Sequence, residues 1–133
     1  MSAVAIYGGI DYEKIEEIMR ETRSKKSISP YTIDSPSPST TYYIPETGAI
    51  DLTEHSYVTV FVKADQAVGV QLQFGVEEDD LADLEGYNID SADFSVDKWN
   101  SIDTDINFYY MRVKITTGTT APSKIDVVVV LRP

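Results

Sequence analysis

The single histidine is the first residue to consider for chemistry, because the chain has no cysteine. His55 lies in a polar stretch ahead of an alternating apolar run, where an imidazole could serve as a general base or a metal ligand. A zinc site or a Cys–His pair needs further His or Cys residues, and no Gly-x-Ser-x-Gly nucleophile motif is present. We therefore interpret His55 as a surface turn residue.

Carboxylates form the second candidate site. Residues 77–80 read Glu-Glu-Asp-Asp, and Asp83, Glu85, Asp90 and Asp93 follow. Several carboxylate oxygens on one loop suit calcium, and a pair of them could support glycoside hydrolysis. The run lacks the glycine and the spacing of the helix-loop-helix calcium motif, and no two carboxylates stand out as a pair. We interpret the run as a solvated acidic loop, with calcium binding as the alternative.

Two further motifs are weaker. Asp103, Asp105 and Asn107 alternate with other residues like the start of a calcium loop, but the glycine and the final glutamate of that loop are missing. Capping of a turn before a strand is the better interpretation. The Gly-Gly pair at residues 8–9 precedes a predicted helix, yet no phosphate-binding motif follows it. Neither motif predicts a ligand site.

Aromatic side chains are numerous, with nine Tyr, four Phe and one Trp. Phe94 and Trp99 lie between predicted strands, and Tyr42 and Tyr43 lie in a proline-rich segment. Exposed aromatic rings on a β-scaffold can stack on sugars, which indicates a surface glycan as one alternative partner. Packing in the core and at its rim is the simpler interpretation.

The composition excludes several partners. The 133 residues fit one domain, and the formal net charge of -11 argues against nucleic acid and against an anionic membrane surface. No apolar run approaches the ~20 residues of a transmembrane helix, so we expect no membrane insertion. The first residues lack the basic start of a signal peptide, and we expect synthesis in a host cytoplasm without one.

Apolar residues alternate with polar ones through most of residues 49–133, as expected for half-buried strands. Four long runs show this period: residues 57–63, 68–76, 109–115 and 125–132. Strands with one apolar face each predict an antiparallel β-sheet or β-sandwich, in a mainly β chain.

The first third of the chain has a different pattern. We predict that residues 1–26 are a helical segment, with a helix over residues 10–26 that places Ile15, Ile18 and Met19 on one face. A helix of this length is marginal alone, so its apolar face must dock on another surface. Residues 27–48 are rich in Pro, Ser and Thr and predict an extended arm, with a short edge strand near residues 41–45.

The outer face of the predicted sandwich is partly apolar. Tyr57 and Phe61 lie on the outer face of one strand, and Val128 and Val130 on that of another. If these strands are neighbours, the side chains form one patch, which a second molecule or the chain itself would cover. We therefore expect an interface that includes Ile15, Ile18, Met19, Tyr57, Phe61, Val128 and Val130.

A resemblance rests on three segments: residues 51–64 (DLTEHSYVTVFVKA), 68–73 (VGVQLQ) and 108–116 (FYYMRVKIT), closing on a valine-rich strand. This pattern resembles the small β-sandwich domains, jelly-roll or galactose-binding-like, of bacterial and archaeal virus structural proteins. It covers about the last 85 residues. The resemblance implies a component of a virus particle, such as a capsid, spike, tail or decoration subunit.

The function expected from these observations is structural and not enzymatic. The chain would be a subunit of a virus particle or similar extracellular assembly, with copies of itself and other virion proteins as partners and without a cofactor. Its contacts would run through the N-terminal segment and the apolar outer face. A carbohydrate- or surface-binding module is the alternative, and a small hydrolase that uses the acidic loop is a third reading.

Overall fold

The structure is a computed structural model that describes residues 26–133, and these residues form two antiparallel sheets. The strands are β1 (Ser27–Asp34), β2 (Thr41–Ile44), β3 (Ile50–Asp51), β4 (Tyr57–Ala64), β5 (Val68–Glu77), β6 (Asp80–Ile89), β7 (Asn100–Asp105), β8 (Tyr110–Thr117) and β9 (Lys124–Arg132). A short 3-10 helix at Ser91–Asp93 lies between β6 and β7.

The strands divide between sheet I, in the order β1-β9-β4-β7, and sheet II, in the order β2-β8-β5-β6. β3 pairs with β8 and continues the edge that β2 begins. Within residues 26–133, only β5 and β6 are neighbours both in sequence and in their sheet. The other connections cross between the sheets or along an edge, so each sheet is assembled from distant parts of the chain.

The core lies between the sheets and follows from the alternation in the sequence. Every second residue of β4, β5, β8 and β9 points inward, and the inward residues are apolar. Fully buried members include Val58, Val60, Leu72, Met111, Val113, Ile115, Ile125 and Val127. Phe74 also stacks on Phe108, with ring centroids 5.5 Å apart. The mainly β sandwich predicted from the sequence is confirmed.

The extended arm predicted for residues 27–48 is wrong for residues 27–34, whereas the short edge strand predicted near residues 41–45 is observed. Residues 27–34 are strand β1, which pairs over its full length with β9, and residues 41–44 are strand β2, paired with β8. Pro30 is tolerated because β1 is an edge strand. Tyr31 and Ile33 pack against the core, so this strand also buries apolar area.

The acidic stretches are also more regular than predicted. Residues 77–80 form the tight turn between β5 and β6. Asp83 and Glu85 lie on β6 rather than in a loop, whereas Asp90 and Asp93 lie at the 3-10 helix that follows it. Asp103 and Asp105 belong to β7, so they do not cap a turn ahead of a strand. Both strands are sheet edges, where backbone pairing with one neighbour suffices and few side chains need burial.

The helix predicted over residues 10–26 lies outside the described residues, apart from Lys26. Across residues 26–133, the structure has no helix with the length and apolar character to span a bilayer.

Candidate interaction surface

The outer face of sheet I carries a contiguous group of apolar side chains, built by the register of three strands. β4 and β9 are neighbours, and their pairing sets Phe61 opposite Val128. β1 and β9 are also neighbours, and Ile28 lies opposite Val130. Directly opposed residues share one face of a sheet. The side chains of these two pairs therefore all lie on the face of sheet I that points away from the core. With Trp99, they form the surface that we call the outer patch.

The outer patch is accessible to other molecules. Ile28 is 57 % exposed and Trp99 is 50 % exposed, values that are high for side chains of this size. A shallow pocket of about 300 Å³ opens between Phe61, Trp99 and Val128. Val130 is only 6 % exposed although it lies outside the core cluster. The patch therefore has a packed floor, an exposed rim and a pocket.

The loop before β7 positions Trp99 at this surface. The side chain of Asn100 donates hydrogen bonds to the carbonyl oxygens of Ser95 (3.0 Å) and Lys98 (2.9 Å). Its own carbonyl oxygen accepts the Ser95 N–H at 2.8 Å. Asp97 holds a positive φ of 62° and its N–H donates to the carbonyl of Ala64. These bonds tie the loop to itself and to the end of β4.

Polar and charged groups border the patch. The guanidinium of Arg132 lies 5.8 Å from the ring centre of Tyr57 and within 3.4 Å of the Thr59 hydroxyl. The Tyr57 hydroxyl donates a hydrogen bond to Asp103, and this bond raises the pKa of the phenol. Asp103 and Asp105 pair with β4 residues at the β7 side of the sheet. The border is therefore acidic along β7, with Arg132 at one end of the patch.

The edges of both sheets are poorly suited to pairing with another strand. β1 contains Pro30, which has no N–H to donate. β7 carries Asp103 and Asp105, β6 carries several carboxylates, and β2 has only four residues. Proline, charge and short length are the features by which natural edge strands avoid association. Contacts through a face are thus better supported than contacts through an edge.

The outer face of sheet II is polar, and its side chains are paired with one another. Arg112 lies over the ring of Tyr43 at 4.1 Å and its Nε donates to the Gln73 side chain at 2.5 Å. Gln73 donates to Asp83 at 2.7 Å, and Lys114 lies 3.0 Å from both oxygens of the same carboxylate. The Gln73 bond, followed by that of Lys114, lowers the pKa of Asp83. This face presents few unpaired groups to a partner.

A second opening lies at the side of the sandwich, between the edge strands β1 and β2. It measures about 520 Å³ and its lining includes Tyr31, Ile33, Tyr42 and Ile44. These residues pack partly against the core from two different sheets, so the opening is the gap where the sheets diverge. Its lining also includes the polar side chains of Thr32, Thr41 and Glu46, which do not form a catalytic combination.

The residues proposed for chemistry take up structural positions. His55 lies in the turn ahead of β4, where its Nδ1 is 3.0 Å from the Thr53 carbonyl oxygen. Asp51 accepts hydrogen bonds from the Thr53 hydroxyl and N–H, and these lower its pKa. Among residues 26–133, no three His, Cys, Asp or Glu side chains come together as a metal site would require. Calcium binding at the acidic stretch stays a prediction.

The sequence predicted part of the outer patch. Phe61, Val128 and Val130 were expected to meet only if their strands were neighbours, and the pairing of β4 with β9 satisfies that condition. Tyr57 shares the same face, at the border. Ile15, Ile18 and Met19 fall outside the described residues. The participation of all seven residues in an interface stays a prediction.

Two members of the patch were missed. Ile28 falls in the stretch predicted as an extended arm, although the alternation of Tyr31 and Ile33 with Thr32 and Asp34 is a signal for a strand there. Trp99 was noted as an aromatic residue of a connecting segment, but nothing local indicates that its loop folds against β4. The hydrogen bond from Asp97 N–H to Ala64 is the contact that creates this proximity.

No protein-family model matches this chain, and no curated protein matches it either. Among solved structures, the PBSX exported protein XepA is similar with a TM-score of 0.59 and 12 % identity, over 80 % of this chain and 36 % of that chain. The chain thus spans about a third of XepA.

Two further solved structures belong to prophage and viral proteins. The SPBc2 prophage-derived protein YomS has a TM-score of 0.44 and 16 % identity, over 79 % of this chain and 94 % of that chain. The Tobacco streak virus coat protein has a TM-score of 0.44 and 9 % identity, over 81 % and 87 %. At these identities the similarity shows the fold alone, and the β-sandwich implied by the resemblance to viral structural proteins is confirmed.

Proposed function

We propose that this protein is a structural, non-enzymatic subunit of a virus particle or a similar extracellular assembly, and that it associates with copies of itself through the outer patch. The observation that carries the proposal is the exposed apolar outer face of sheet I, on a sandwich whose other outer face is polar and whose edges are blunted. Exposed contiguous apolar patches mark interaction sites.

The strand order supports this proposal. We infer that the sandwich is a jelly roll, because the orders β1-β9-β4-β7 and β2-β8-β5-β6 are those of two four-stranded sheets connected by repeated crossings, with β3 as an addition to the edge. Jelly rolls are common in viral capsid proteins and in lectins. The shared fold of the exported protein XepA supports a place outside the cell.

The energetics of the outer patch favour association. Completing the burial of Ile28 and Trp99, each about half exposed, would contribute roughly 1 kcal/mol per side chain from apolar area alone. The pocket between Phe61, Trp99 and Val128 can accept a side chain from the partner, which is how interface anchors are commonly held. The acidic border would add specificity more than affinity.

The proposal is tested in particles purified from the source culture. Mass spectrometry of the purified particles should detect the chain at a constant ratio to the major coat protein, and gold-labelled antibodies against it should decorate the particle surface. Absence of the chain from intact particles, together with its presence in the soluble fraction of the lysate, would contradict the proposal.

A second candidate function, carbohydrate binding, is favoured by one observation. Trp99 is half exposed beside the pocket, and the Lys63 ammonium lies 5.8 Å from its ring centre. An exposed ring with a polar group at its side can stack on a sugar and donate a hydrogen bond to it. A glycan array should then give a signal that Trp99→Ala removes and that Tyr109→Ala, another exposed aromatic substitution, leaves intact.

A further inference from the structure

We propose that the occupant of the outer patch is the N-terminal segment, residues 10–26, of a second copy of this chain. The inference rests on the proposed function and names the partner for the same surface. In an assembly built this way, each copy is both donor of a segment and acceptor at its patch, and repetition of one contact links many copies.

The sequence of the segment complements the patch in polarity. Ile15, Ile18 and Met19 fall on one face of the predicted helix, so the segment offers an apolar stripe at helical spacing. The patch offers an apolar floor and a pocket of about 300 Å³, which is large enough for an aliphatic side chain. The apolar face of the helix needs a surface to dock on, and no part of residues 26–133 covers the outer patch.

The dimensions also agree. A helix over residues 10–26 would be about 25 Å long, at ~1.5 Å per residue. The four strands of sheet I extend across about 14 Å, at ~4.8 Å between neighbours. The helix can therefore cross the whole sheet and still place its basic end beyond an edge strand.

Charge complementarity sets the direction of docking. Of the eleven Lys and Arg residues in the chain, five lie in residues 1–26, and Arg20, Arg23, Lys25 and Lys26 form its basic end. The acidic border of the patch lies along β7, at Asp103 and Asp105. A helix whose basic end lies over β7 would pair these charges, and the opposite direction would set its acidic start, near Glu13, against them.

The junction between the segment and β1 indicates that the contact is made between copies. The predicted helix extends to Lys26, and β1 begins at Ser27, already paired with Leu131 of β9. Connections between a helix and a strand that fold back on each other take roughly 2–6 residues. If the helix extends to Lys26 as the sequence predicts, no residue is left for such a turn, and we infer that its apolar face meets the patch of a neighbouring copy rather than that of its own sheet.

The experiment mixes two full-length variants that each lack one side of the contact. Ile18→Lys removes the donor stripe and leaves the patch intact, whereas Val128→Lys damages the patch and leaves the segment intact. Glu17→Lys and Val76→Lys are matched controls, since Glu17 lies outside the apolar stripe and Val76 is 62 % exposed on sheet II. Circular dichroism and thermal melting confirm folding, and Ile28→Lys at the exposed edge replaces Val128→Lys if the latter does not fold.

Native mass spectrometry measures the oligomeric state and the subunit composition of each sample. Both controls should assemble like the wild type, each contact variant alone should be monomeric, and an equimolar mixture should give a species that contains one copy of each variant. If Ile18→Lys still assembles and Val128→Lys does not, the outer patches of two copies contact each other directly. That result would overturn the inference and leave the proposed function standing. Two monomeric variants that stay monomeric when mixed would overturn it in favour of docking within one copy. A monomeric wild type would defeat the proposed function itself.

Discussion

Asn100 shows how one side chain can position a surface. It bonds to both ends of the loop that carries Trp99, and it also donates to the carbonyl of Val62 on β4 at 3.3 Å. The side chain therefore connects the presentation of an exposed aromatic ring to the central strand beneath it. The position of Trp99 at the patch therefore depends on Asn100, although Asn100 itself contributes no apolar area.

Replacing this amide should destabilise the protein measurably. Asn100→Ala leaves the carbonyls of Ser95 and Lys98 without their donor, and we expect the free energy of unfolding to fall by about 1–3 kcal/mol. Urea denaturation measures this change. Asn107→Ala, in the exposed loop before β8, is the control and should stay within about 0.5 kcal/mol of wild type. Equal effects of the two substitutions would contradict the assigned role of Asn100.

Acid should weaken the fold through carboxylates that accept hydrogen bonds. Asp65 accepts the Ser123 hydroxyl at 2.7 Å and the Ser123 N–H at 2.8 Å, and these bonds lower its pKa from 3.8. A carboxyl whose pKa is lower in the folded state stabilises the fold above the unfolded pKa, about 3.9, and loses this contribution as the pH falls through the folded pKa. The loss of stability between pH 7 and pH 3 should therefore be smaller in Asp65→Asn than in wild type.

Chemical denaturation at the two pH values tests this expectation. Ser123→Ala removes the hydroxyl donor and keeps the backbone donor, so it should reduce the acid sensitivity by less than Asp65→Asn does. An unchanged or larger acid sensitivity in Asp65→Asn would show that the carboxyl of Asp65 does not contribute in this way.

At the scale of elements, alternation predicted the strands that bury one whole face. β4, β5, β8 and β9 were all predicted, because each supplies a continuous row of core residues. β1, β6 and β7 were not predicted as strands of their observed length, because they are edges. Their pairing is specified by backbone hydrogen bonds to a neighbour, and their outward residues are free to be Pro, Asp or Ser. Patterns of side chains carry little information about such strands.

The β5–β6 hairpin depends on a close approach that only glycine permits. A Cβ on Gly75 would lie 2.2 Å from the carbonyl oxygen of Asp80, whereas a Cβ on Gly69 of the same strand would meet nothing nearer than 3.9 Å. We expect Gly75→Ala to lower the free energy of unfolding by about 1–3 kcal/mol. Gly69→Ala should be neutral or stabilising by up to about 1 kcal/mol.

Thermal and urea unfolding of the two alanine variants compare these positions directly. The pair is well matched, since both glycines lie on β5 and both substitutions add one methyl group. A Gly75→Ala variant as stable as Gly69→Ala would mean that the hairpin can open without cost, and that the separation of β5 from β6 at this point is not fixed.

At the scale of the whole molecule, the two outer faces differ in polarity. Sheet II presents paired polar side chains, and sheet I presents the outer patch. The sequence indicated an apolar outer face, but it could not show that β1 adds Ile28 or that a distant loop adds Trp99. Both depend on pairing between residues far apart in the chain, which a local pattern does not encode.

The central claim is that the outer patch mediates self-association, and sedimentation velocity over a concentration series tests it most directly. The wild-type chain should form species larger than a monomer. Val128→Lys should raise the apparent dissociation constant at least about tenfold, equivalent to ~1.4 kcal/mol, because it sets a charge against an apolar partner. Val76→Lys should match the wild type. A wild type that is monomeric at every concentration, or a Val128→Lys variant that associates as the wild type does, would contradict the account.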